Sequence, residues 1–243
     1  MALQERQKEI LNILKEQKTA TVAALSQALF VREATMRRDL KEMQTMGLLE
    51  RSHGGAILTE TTEEVSIFFR LEKNAKQKER IATTALTHLP PFNSMFVDSS
   101  STALALVQRM DLRFKTVITN GLQTALQLSK KQDVHLILLG GNVQYNTHSV
   151  LGSLSSRLLK EFSFDLTICS CASVKPNGAF ERSLEQAEIK RSALLQSEKS
   201  ILLVDESKFH APGVHRIANL SAFQHIITDV PPKAEFDDIP FIY

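Results

Sequence analysis

The sequence has no tryptophan, only two cysteines, and no apolar run long enough to cross a membrane. A membrane-spanning helix takes about 18 or more consecutive apolar residues, so an integral membrane protein is not expected. The opening stretch MALQERQKEI lacks the apolar centre of a secretory signal peptide. These absences together predict a cytoplasmic protein.

The few cysteines argue against disulfides and metal sites. Cys169 and Cys171 are alternate residues of an apolar run and would share one face of a strand. Two buried small side chains in a reducing compartment are the favoured interpretation, rather than a redox pair. The seven histidines show no paired ligand spacing, so no structural metal and no cofactor is predicted.

The sequence also has nearly equal numbers of positive and negative side chains, with a net charge of only +2. Residues 1–58 hold nine Lys and Arg against seven Asp and Glu, while residues 59–243 hold twenty of each. The positive excess therefore lies in the first quarter of the chain, and the placement of its charges decides what it binds.

The first 58 residues have the pattern of three helices followed by a hairpin. QERQKEILNILKEQ and TVAALSQAL carry apolar residues at helical spacing, and Thr21 is placed to cap the second helix. The third helix follows after about three residues, a short turn for two packed helices, and Gly47 is predicted to end it. LLERSHGGAIL reads as two short strands joined at His53-Gly54-Gly55.

The third helix, in REATMRRDLKEM, has two distinct faces. Met36, Leu40, Met43 and Gly47 follow the i, i+4, i+7 pattern and predict a buried seam. Arg38 then points away from the seam, with Ala34 and Lys41 beside it. Thr35 and Arg37 flank this outward face.

That outward face suits a helix in the DNA major groove. Arginine binds guanine or phosphate there, and threonine binds a base edge, a methyl group or a phosphate. A merely solvated charged face is the alternative, but the short-turn helix pair and the basic hairpin occur together with it. Predicted DNA contacts are Thr21, Arg32, Thr35, Arg37, Arg38, Lys41, Arg51, His53 and Gly54.

From about residue 90 the pattern changes to short apolar, β-branched runs that alternate with helical stretches. Such runs predict a mainly parallel sheet covered on both faces. In these sheets ligands bind beyond the carboxyl ends of the strands. Polar or small residues fall at those ends: Asp98, Thr119-Asn120, Gly140-Gly141 and Asp205.

The fold class is therefore α/β, with a small winged helix-turn-helix domain followed by a larger α/β domain. We predict a DNA-binding domain over residues 1–58, a linker over 59–74, and a domain for effector sensing and oligomerisation over 75–243. TETTEEV is the most linker-like part, while KQKERIATTAL predicts a helix of the second domain.

TVAALSQALFVREATMRRDLKEMQTMGLLERSHGGA resembles the N-terminal domain of DeoR-type bacterial transcription regulators. Their signature runs Val-Ser-x-x-Thr-Ile-Arg-Arg-Asp-Leu and then Arg-x-His-Gly-Gly-Ala. Arg32 stands where the family has serine at the start of the recognition helix. It forgoes an N-cap worth about 1 kcal/mol and puts a cation at the positive end of the helix dipole. We therefore expect Arg32 to meet a DNA phosphate.

The resemblance continues through VDSSST, TVITNG, LLGGNV, LGSL, EQAEIKR, LLVDESKF and IITD. The matching domain of that family is similar to ribose-5-phosphate isomerase and usually senses a phosphorylated sugar or related metabolite. Strand-end hydroxyls and backbone N–H groups can hold an anion there. The implied effector contacts are Asp98, Ser100, Ser101, Thr102, Thr119, Asn120, Gly121, Gly140, Gly141, Gly152, Lys175, Glu188, Lys190, Asp205 and Lys208.

Each of these residues also has a purely structural alternative, such as capping a helix or making a turn. Three segments depart from the family pattern. Asp-x-Gly-Ser-Thr is here Asp98-Ser99-Ser100-Ser101-Thr102, Thr-Asn-Ser is Thr119-Asn120-Gly121, and Gly-Ile-Asp is Ser173-Val174-Lys175. A serine in place of glycine adds a side chain where a ligand would otherwise meet bare backbone. The expected result is a narrower pocket, a preference for another metabolite or the loss of sugar-phosphate binding, and Lys175 would add positive charge for a more acidic ligand.

The predicted function is a DNA-binding repressor of a carbohydrate operon, at least dimeric and controlled by a phosphorylated metabolite. The first alternative is an aldose–ketose phosphate isomerase with an added domain. However, SCASVKPNGA has no counterpart of the isomerases' Asp-Gly-Ala-Asp segment. The second alternative is a regulator whose second domain is only an oligomerisation scaffold.

Overall fold

The computed structural model describes residues 5–45, 48–52, 54–58, 66–232, 234–236 and 239–243. The chain divides into two compact units, residues 1–73 and 74–243. None of the helices in these ranges is both long and apolar enough to cross a bilayer.

The first unit is a helix-turn-helix with a small antiparallel sheet. Its strands lie in the order β1-β3-β2, so the predicted hairpin β2–β3 gains a third strand that the sequence pattern did not indicate. Its elements are α1 (Glu5–Gln17), β1 (Thr19–Thr21), α2 (Val22–Ala28), α3 (Glu33–Thr45), β2 (Glu50–Ser52), β3 (Gly55–Ile57) and α4 (Ile67–Glu72).

The core of this unit confirms the predicted apolar seam of α3. Met36, Leu40 and Met43 are fully buried and pack in one cluster with residues of α1 and α2. Gly47, the predicted end of the helix, lies outside the described residues. Helix α4 falls within the range predicted as a linker, and its Phe68 and Phe69 pack against the same cluster.

The turn between α2 and α3 is a helix end of the Schellman type. The amide of Phe30 donates to the carbonyl of Gln27, and the amide of Val31 donates to that of Ser26. Phe30 occupies the left-handed position of this motif, with φ of 52°. Glycine is usual there, and a residue with a Cβ costs roughly 1–2 kcal/mol in that conformation.

The second unit is built on a seven-stranded sheet. Its elements are α5 (Ala75–Leu86), β4 (Ser94–Val97), α6 (Ser101–Val107), β5 (Thr116–Thr119), α7 (Leu122–Leu128), β6 (His135–Leu138), β7 (Asn142–Gln144), β8 (Ser149–Leu151), α8 (Ser153–Leu159), β9 (Phe164–Ser170), β10 (Ser173–Lys175), β11 (Gly178–Glu181), α9 (Leu184–Leu195), β12 (Ser197–Val204), β13 (His215–Ala218), β14 (His225–Thr228) and β15 (Phe241–Ile242). Short 3₁₀ helices cover Glu206–Phe209, Leu220–Ala222 and Ala234–Phe236.

The strands of the large sheet lie in the order β15-β14-β12-β9-β4-β5-β6, and every neighbouring pair is parallel. This arrangement confirms the predicted fold class. The edge strand β15 was not predicted. Strands β10, β11 and β13 form a separate antiparallel sheet, and β7 pairs with β8 as a hairpin.

Burial on both faces of the sheet explains the unalternating strand sequences. Consecutive residues Met95, Phe96 and Val97 are all fully buried, as expected where layers cover both faces. Cys169 and Cys171 are buried free cysteines, and burial raises the pKa of both thiols, that of Cys171 to about 12. Among the described residues, no group of three or more His, Cys, Asp or Glu is placed to hold a metal.

Candidate functional site

The outward face of α3 carries exposed cations. Arg37, Arg38 and Lys41 are exposed, and Thr35 is half-buried. Glu33, one turn earlier, accepts a hydrogen bond of 2.8 Å from the Arg37 guanidinium. An exposed i,i+4 pair of this kind is worth about 0.3–0.5 kcal/mol, which leaves Arg37 available to a stronger anionic partner.

A partly buried ion pair ties α3 to α1. The Asp39 carboxylate accepts two hydrogen bonds from the Arg6 guanidinium, of 2.5 and 3.1 Å, and only 2% of Asp39 is exposed. The bonds raise the pKa of Arg6. Sequence reasoning missed this pair, although a carboxylate between Met36 and Met43 on the apolar seam was a signal for it.

Arg32 stands immediately before α3, at the position of a helix N-cap. Its carbonyl accepts hydrogen bonds from the amides of Thr35 and Met36, of 2.9 and 3.1 Å. The side chain is exposed and cannot cap as a serine would. By contrast, Thr21 is the N-cap of α2. Its side chain is exposed, and its Oγ1 accepts a hydrogen bond from the Ala24 amide.

The hairpin places a cation and a turn at the surface. Arg51 is exposed on β2, and Gly54 is exposed in the turn with φ of 83°. A Cβ on Gly55 would stand 2.3 Å from the Ala20 carbonyl oxygen, so the third strand requires glycine there. His53, also predicted to contact DNA, lies outside the described residues.

In the second unit the strand order aligns many of the predicted effector residues along one edge of the sheet. Strands β12, β9, β4, β5 and β6 are successive neighbours, and their carboxyl ends lead into Asp205, Ser170, Asp98, Asn120 and Gly140. Most of these polar groups are buried, which is unusual unless hydrogen bonds or ion pairs satisfy them.

The loop after β4 largely satisfies its own polar groups. The Asp98 carboxylate accepts hydrogen bonds from the backbone amide and the hydroxyl of Ser100, of 3.1 and 2.5 Å. The Ser100 hydroxyl oxygen in turn accepts from the Ala103 amide and caps α6. Ser101 and Thr102 begin that helix and are buried. In this structure Ser100 therefore acts as a helix cap.

Lys190 lies between two carboxylates and is bonded on both sides. Its ammonium lies 2.9 Å from Asp98, contacts Glu181 closely, and donates 2.8 Å to the Ser170 carbonyl. The ammonium group thus makes hydrogen bonds to Ser170 and Glu181 and an ion pair with Asp98. Burial lowers the pKa of Lys190, but the charges of Asp98 and Glu181 outweigh this effect and raise it. A ligand phosphate would have to displace one of these bonds.

Asn120 has a buried oxygen without a donor. Its amide NH₂ faces the Val150 carbonyl at 3.3 Å, which determines the orientation of the amide group because two oxygens would repel. The other amide atom, Oδ1, is buried and accepts no hydrogen bond from any residue in the described part of the chain. A buried acceptor without a hydrogen bond costs about 1–3 kcal/mol of folding free energy. A ligand hydroxyl or amine that donates to this oxygen would remove that cost.

Asp205 gathers polar groups from α5 and the 3₁₀ helix after β12. Its Oδ1 accepts hydrogen bonds from the Ser207 amide and hydroxyl and from Asn74. Burial raises the pKa of Asp205, but the charge of Lys208, these hydrogen bonds and the charge of Lys78 lower it below 3.8. Lys208 is half-buried and interacts with Asp205 through charge.

Two glycines of the predicted site are required by close packing. A Cβ on Gly121 would stand 2.9 Å from the Ser99 Cα, so the serine of the family pattern would not fit without a shift. A Cβ on Gly141 would stand 2.3 Å from the Ser155 hydroxyl. The amide of Gly121 donates to the buried Thr119 hydroxyl. The other two predicted glycines lie on either side of the β7–β8 hairpin, Gly140 before it and Gly152 after it.

Two predicted effector residues are not drawn into this edge. Glu188 is exposed on α9, and since it lies two residues from buried Lys190, it points to another side of the helix. Lys175 is exposed at the end of β10, where it donates to the Gly213 carbonyl at 3.3 Å and lies 5.0 Å from the Phe180 ring centre.

Two family models match the chain. Residues 6–62 match the DeoR-like helix-turn-helix domain, and residues 73–230 match the DeoR C-terminal sensor domain. The second match alone covers more than half of the sequence.

Curated proteins match along nearly the whole chain. The L-fucose operon activator of Haemophilus influenzae is 33% identical over 92% of this chain and 91% of that protein. The glycerol-3-phosphate regulon repressor of Escherichia coli is 28% identical over 94% of this chain and 91% of that protein. Among solved structures, ribose 5-phosphate isomerase A from Methanocaldococcus jannaschii aligns with 56% of this chain and 55% of its own, at 14% identity and a TM-score of 0.41.

Proposed function

The chain belongs to the DeoR family of transcriptional regulators, and from this premise we propose that it represses a carbohydrate-metabolism operon under the control of a phosphorylated sugar or related metabolite. It is a DNA-binding regulator. Its relatives include both an activator and a repressor, named for L-fucose and glycerol-3-phosphate. We further propose that it is cytoplasmic and not an enzyme.

One observation carries the DNA-binding part of the proposal: the exposed cations of α3 stand opposite its buried seam. In this proposal Arg38 and Arg37 enter the major groove with Thr35, while Lys41 and Arg32 hold phosphates. Thr21, at the start of α2, contacts the backbone, and Arg51, His53 and Gly54 of the hairpin reach an adjacent phosphate or minor groove.

This part is tested by measuring the affinity for the chain's own upstream promoter region and for a scrambled duplex. Arg37→Ala/Arg38→Ala should weaken specific binding about 100-fold, and the slope of log K against log salt should fall by about 2 if both meet phosphates, or less where one reads a base. The matched control is Arg113→Ala, which removes an exposed arginine of the second unit. Equal affinity for both duplexes, unchanged by the double substitution, would contradict the proposal.

The sensor part rests on the row of polar groups at the carboxyl edge of the sheet. Among the described residues no donor reaches the buried Asn120 Oδ1, and a sugar or polyol hydroxyl would supply one. Lys208 has its charge next to the same edge without a hydrogen-bonded partner among the described residues, and this suits a phosphate. Asp98, Asp205 and the strand-end hydroxyls complete a site that must rearrange to admit the ligand.

Control of DNA binding requires that the ligand favour one state of the protein over another. Matched operator half-sites require at least two copies of the recognition helix, so we propose a homo-oligomer. In this proposal residues 1–58 form the DNA-binding domain and residues 59–74 form the linker. Residues 75–243 bind the effector and form the contacts between copies.

The sensor is tested by a thermal-shift screen of phosphorylated sugars and polyols. A ligand at about 100 times its Kd should stabilise the protein by about 2.7 kcal/mol. Lys208→Ala should abolish the shift, while Lys160→Ala, at the exposed lysine that follows α8, should preserve it. A hit that survives Lys208→Ala would disprove the phosphate assignment. Turnover of the sugar phosphate would instead identify an isomerase, and no response to any metabolite would identify a scaffold.

A further inference from the structure

Phe30, in the turn between α2 and α3, is almost entirely exposed, with 96% of its surface accessible. It also holds the left-handed backbone position, with φ of 52°. The ring therefore gives no packing energy in return for the strained backbone. Glycine at this position would keep both hydrogen bonds of the helix end and remove the strain.

A second locally unfavourable residue lies two positions further on. Arg32 occupies the N-cap of α3 without a side chain that can cap. Val31, between them, is partly buried and packs on the core of the first unit. The chain thus anchors Val31 and directs Phe30 and Arg32 to solvent on either side of it.

Residues that are unfavourable for the local backbone, such as Phe30 and Arg32, are expected where function requires their side chains. In helix-turn-helix proteins the N-terminal residues of the second helix touch base edges, and the turn immediately precedes them. An aromatic ring there can pack on a thymine methyl or a deoxyribose, while the neighbouring guanidinium holds a phosphate.

We propose that Phe30 is a DNA-contacting residue that packs its ring against the apolar surface of the operator, a thymine methyl or deoxyribose, beside the phosphate held by Arg32. The inference rests on the proposed DNA-binding function and adds an apolar contact to the cations of α3. The partner is duplex DNA rather than another protein because the exposed cations Arg32, Arg37, Arg38 and Lys41 lie on the same helix and its N-cap.

The decisive variant is Phe30→Gly in the full-length protein. Because glycine relieves the strain, amides of α2 and α3 should exchange with deuterium roughly fivefold more slowly. Because the ring is lost, operator affinity should fall about tenfold, which is about 1.4 kcal/mol. Stability and affinity thus move in opposite directions, which a merely structural role does not produce.

The chain contains a matched control in the second unit. Phe114 is also exposed, at 84%, and also left-handed, with φ of 61°. Phe114→Gly should slow exchange locally and leave operator affinity unchanged. Phe30→Tyr, which keeps the ring, should retain the affinity of the unaltered protein, and Phe30→Ala should lose as much as Phe30→Gly.

Salt dependence separates the ring from the charge beside it. Phe30→Gly should weaken binding equally at low and high salt, whereas Arg32→Ser should also reduce the slope of log K against log salt by about 1. If the unaltered protein prefers its promoter but Phe30→Gly binds equally well, the inference is wrong and the proposed function stands. Loss of regulation in cells with unchanged DNA affinity would assign Phe30 to a protein partner and overturn it as well. No preference for the promoter by the unaltered protein would remove the proposed function itself.

Discussion

The two candidate binding sites of this regulator, one in each unit, differ in how their charged side chains are placed. In the first, arginine and lysine side chains stand exposed on α3, and within the described part of the chain the weak Glu33–Arg37 pair is the one ion pair on that face. In the second, Lys190, Asp98 and Glu181 are buried and bonded to one another at the carboxyl edge of the sheet.

This difference in exposure determines how each unit can bind its ligand. Exposed cations can bind a polyanion by releasing water and counterions, and the weak Glu33–Arg37 pair is the internal bond that such binding would break. Buried and fully bonded groups can bind a ligand only by exchanging partners, which couples binding to a change of structure. A DNA reader suits the first arrangement, and a sensor that switches suits the second.

The largest effect should come from breaking the buried cluster. Lys190→Met would leave two carboxylates buried without their cation, which should destabilise the second unit by about 3–5 kcal/mol. Urea unfolding followed by circular dichroism measures this loss. Lys160→Met, at an exposed lysine, is the control and should change stability by less than about 0.5 kcal/mol. Equal losses of unfolding free energy for the two variants would show that Lys190 does not stabilise the buried carboxylates.

The next largest effect should come from the partly buried Arg6–Asp39 pair of the first unit. Asp39→Asn should destabilise the helix-turn-helix by about 2 kcal/mol because it weakens two charge-assisted hydrogen bonds from Arg6. A double-mutant cycle with Arg6→Met isolates the pair, and we expect a coupling energy of at least about 1 kcal/mol. Strictly additive losses would mean that the two side chains contribute separately.

Asp205 should give the second unit a dependence on acid. Because its pKa is lowered in the folded state, its stabilisation is fully present above pH 3.8 and is lost as pH falls through the lower, folded value. Asp205→Asn should therefore be less stable than the unaltered protein at pH 7, and the gap should close below about pH 4. Melting temperatures across this range test the sign, and a gap that widens in acid would contradict it.

The smallest effect should come from the exposed pair on α3. Glu33→Gln removes the carboxylate that competes for Arg37, so operator affinity should rise about two- to threefold at low salt. Stability should change by no more than about 0.5 kcal/mol. Glu42→Gln, at an exposed residue of the same helix, serves as the control. A loss of affinity for Glu33→Gln would mean that the Glu33–Arg37 pair positions Arg37 for DNA.

Periodicity was enough to predict the long elements but not the shortest ones or all of their partners. The buried seam of α3 and the parallel strands follow from local apolar spacing, and both were predicted. Strand β1 and the edge strand β15 were not, because three- and two-residue strands carry too little pattern and form only when a neighbour supplies the hydrogen bonds. The Arg6–Asp39 pair joins residues 33 positions apart, beyond any local signal.

The sequence by itself determined that a helix with a cationic outer face precedes a parallel α/β domain, since apolar spacing and residue type are local properties. Only the tertiary structure decided which polar residues are free to bind. It made Ser100 a helix cap and paired Lys190 with Asp98, Glu181 and Ser170. It also left Asn120 Oδ1 without a hydrogen-bond donor among the described residues. The physical reason is that hydrogen-bond satisfaction depends on strands adjacent in space, such as β4, β9 and β5, and not on neighbours along the chain.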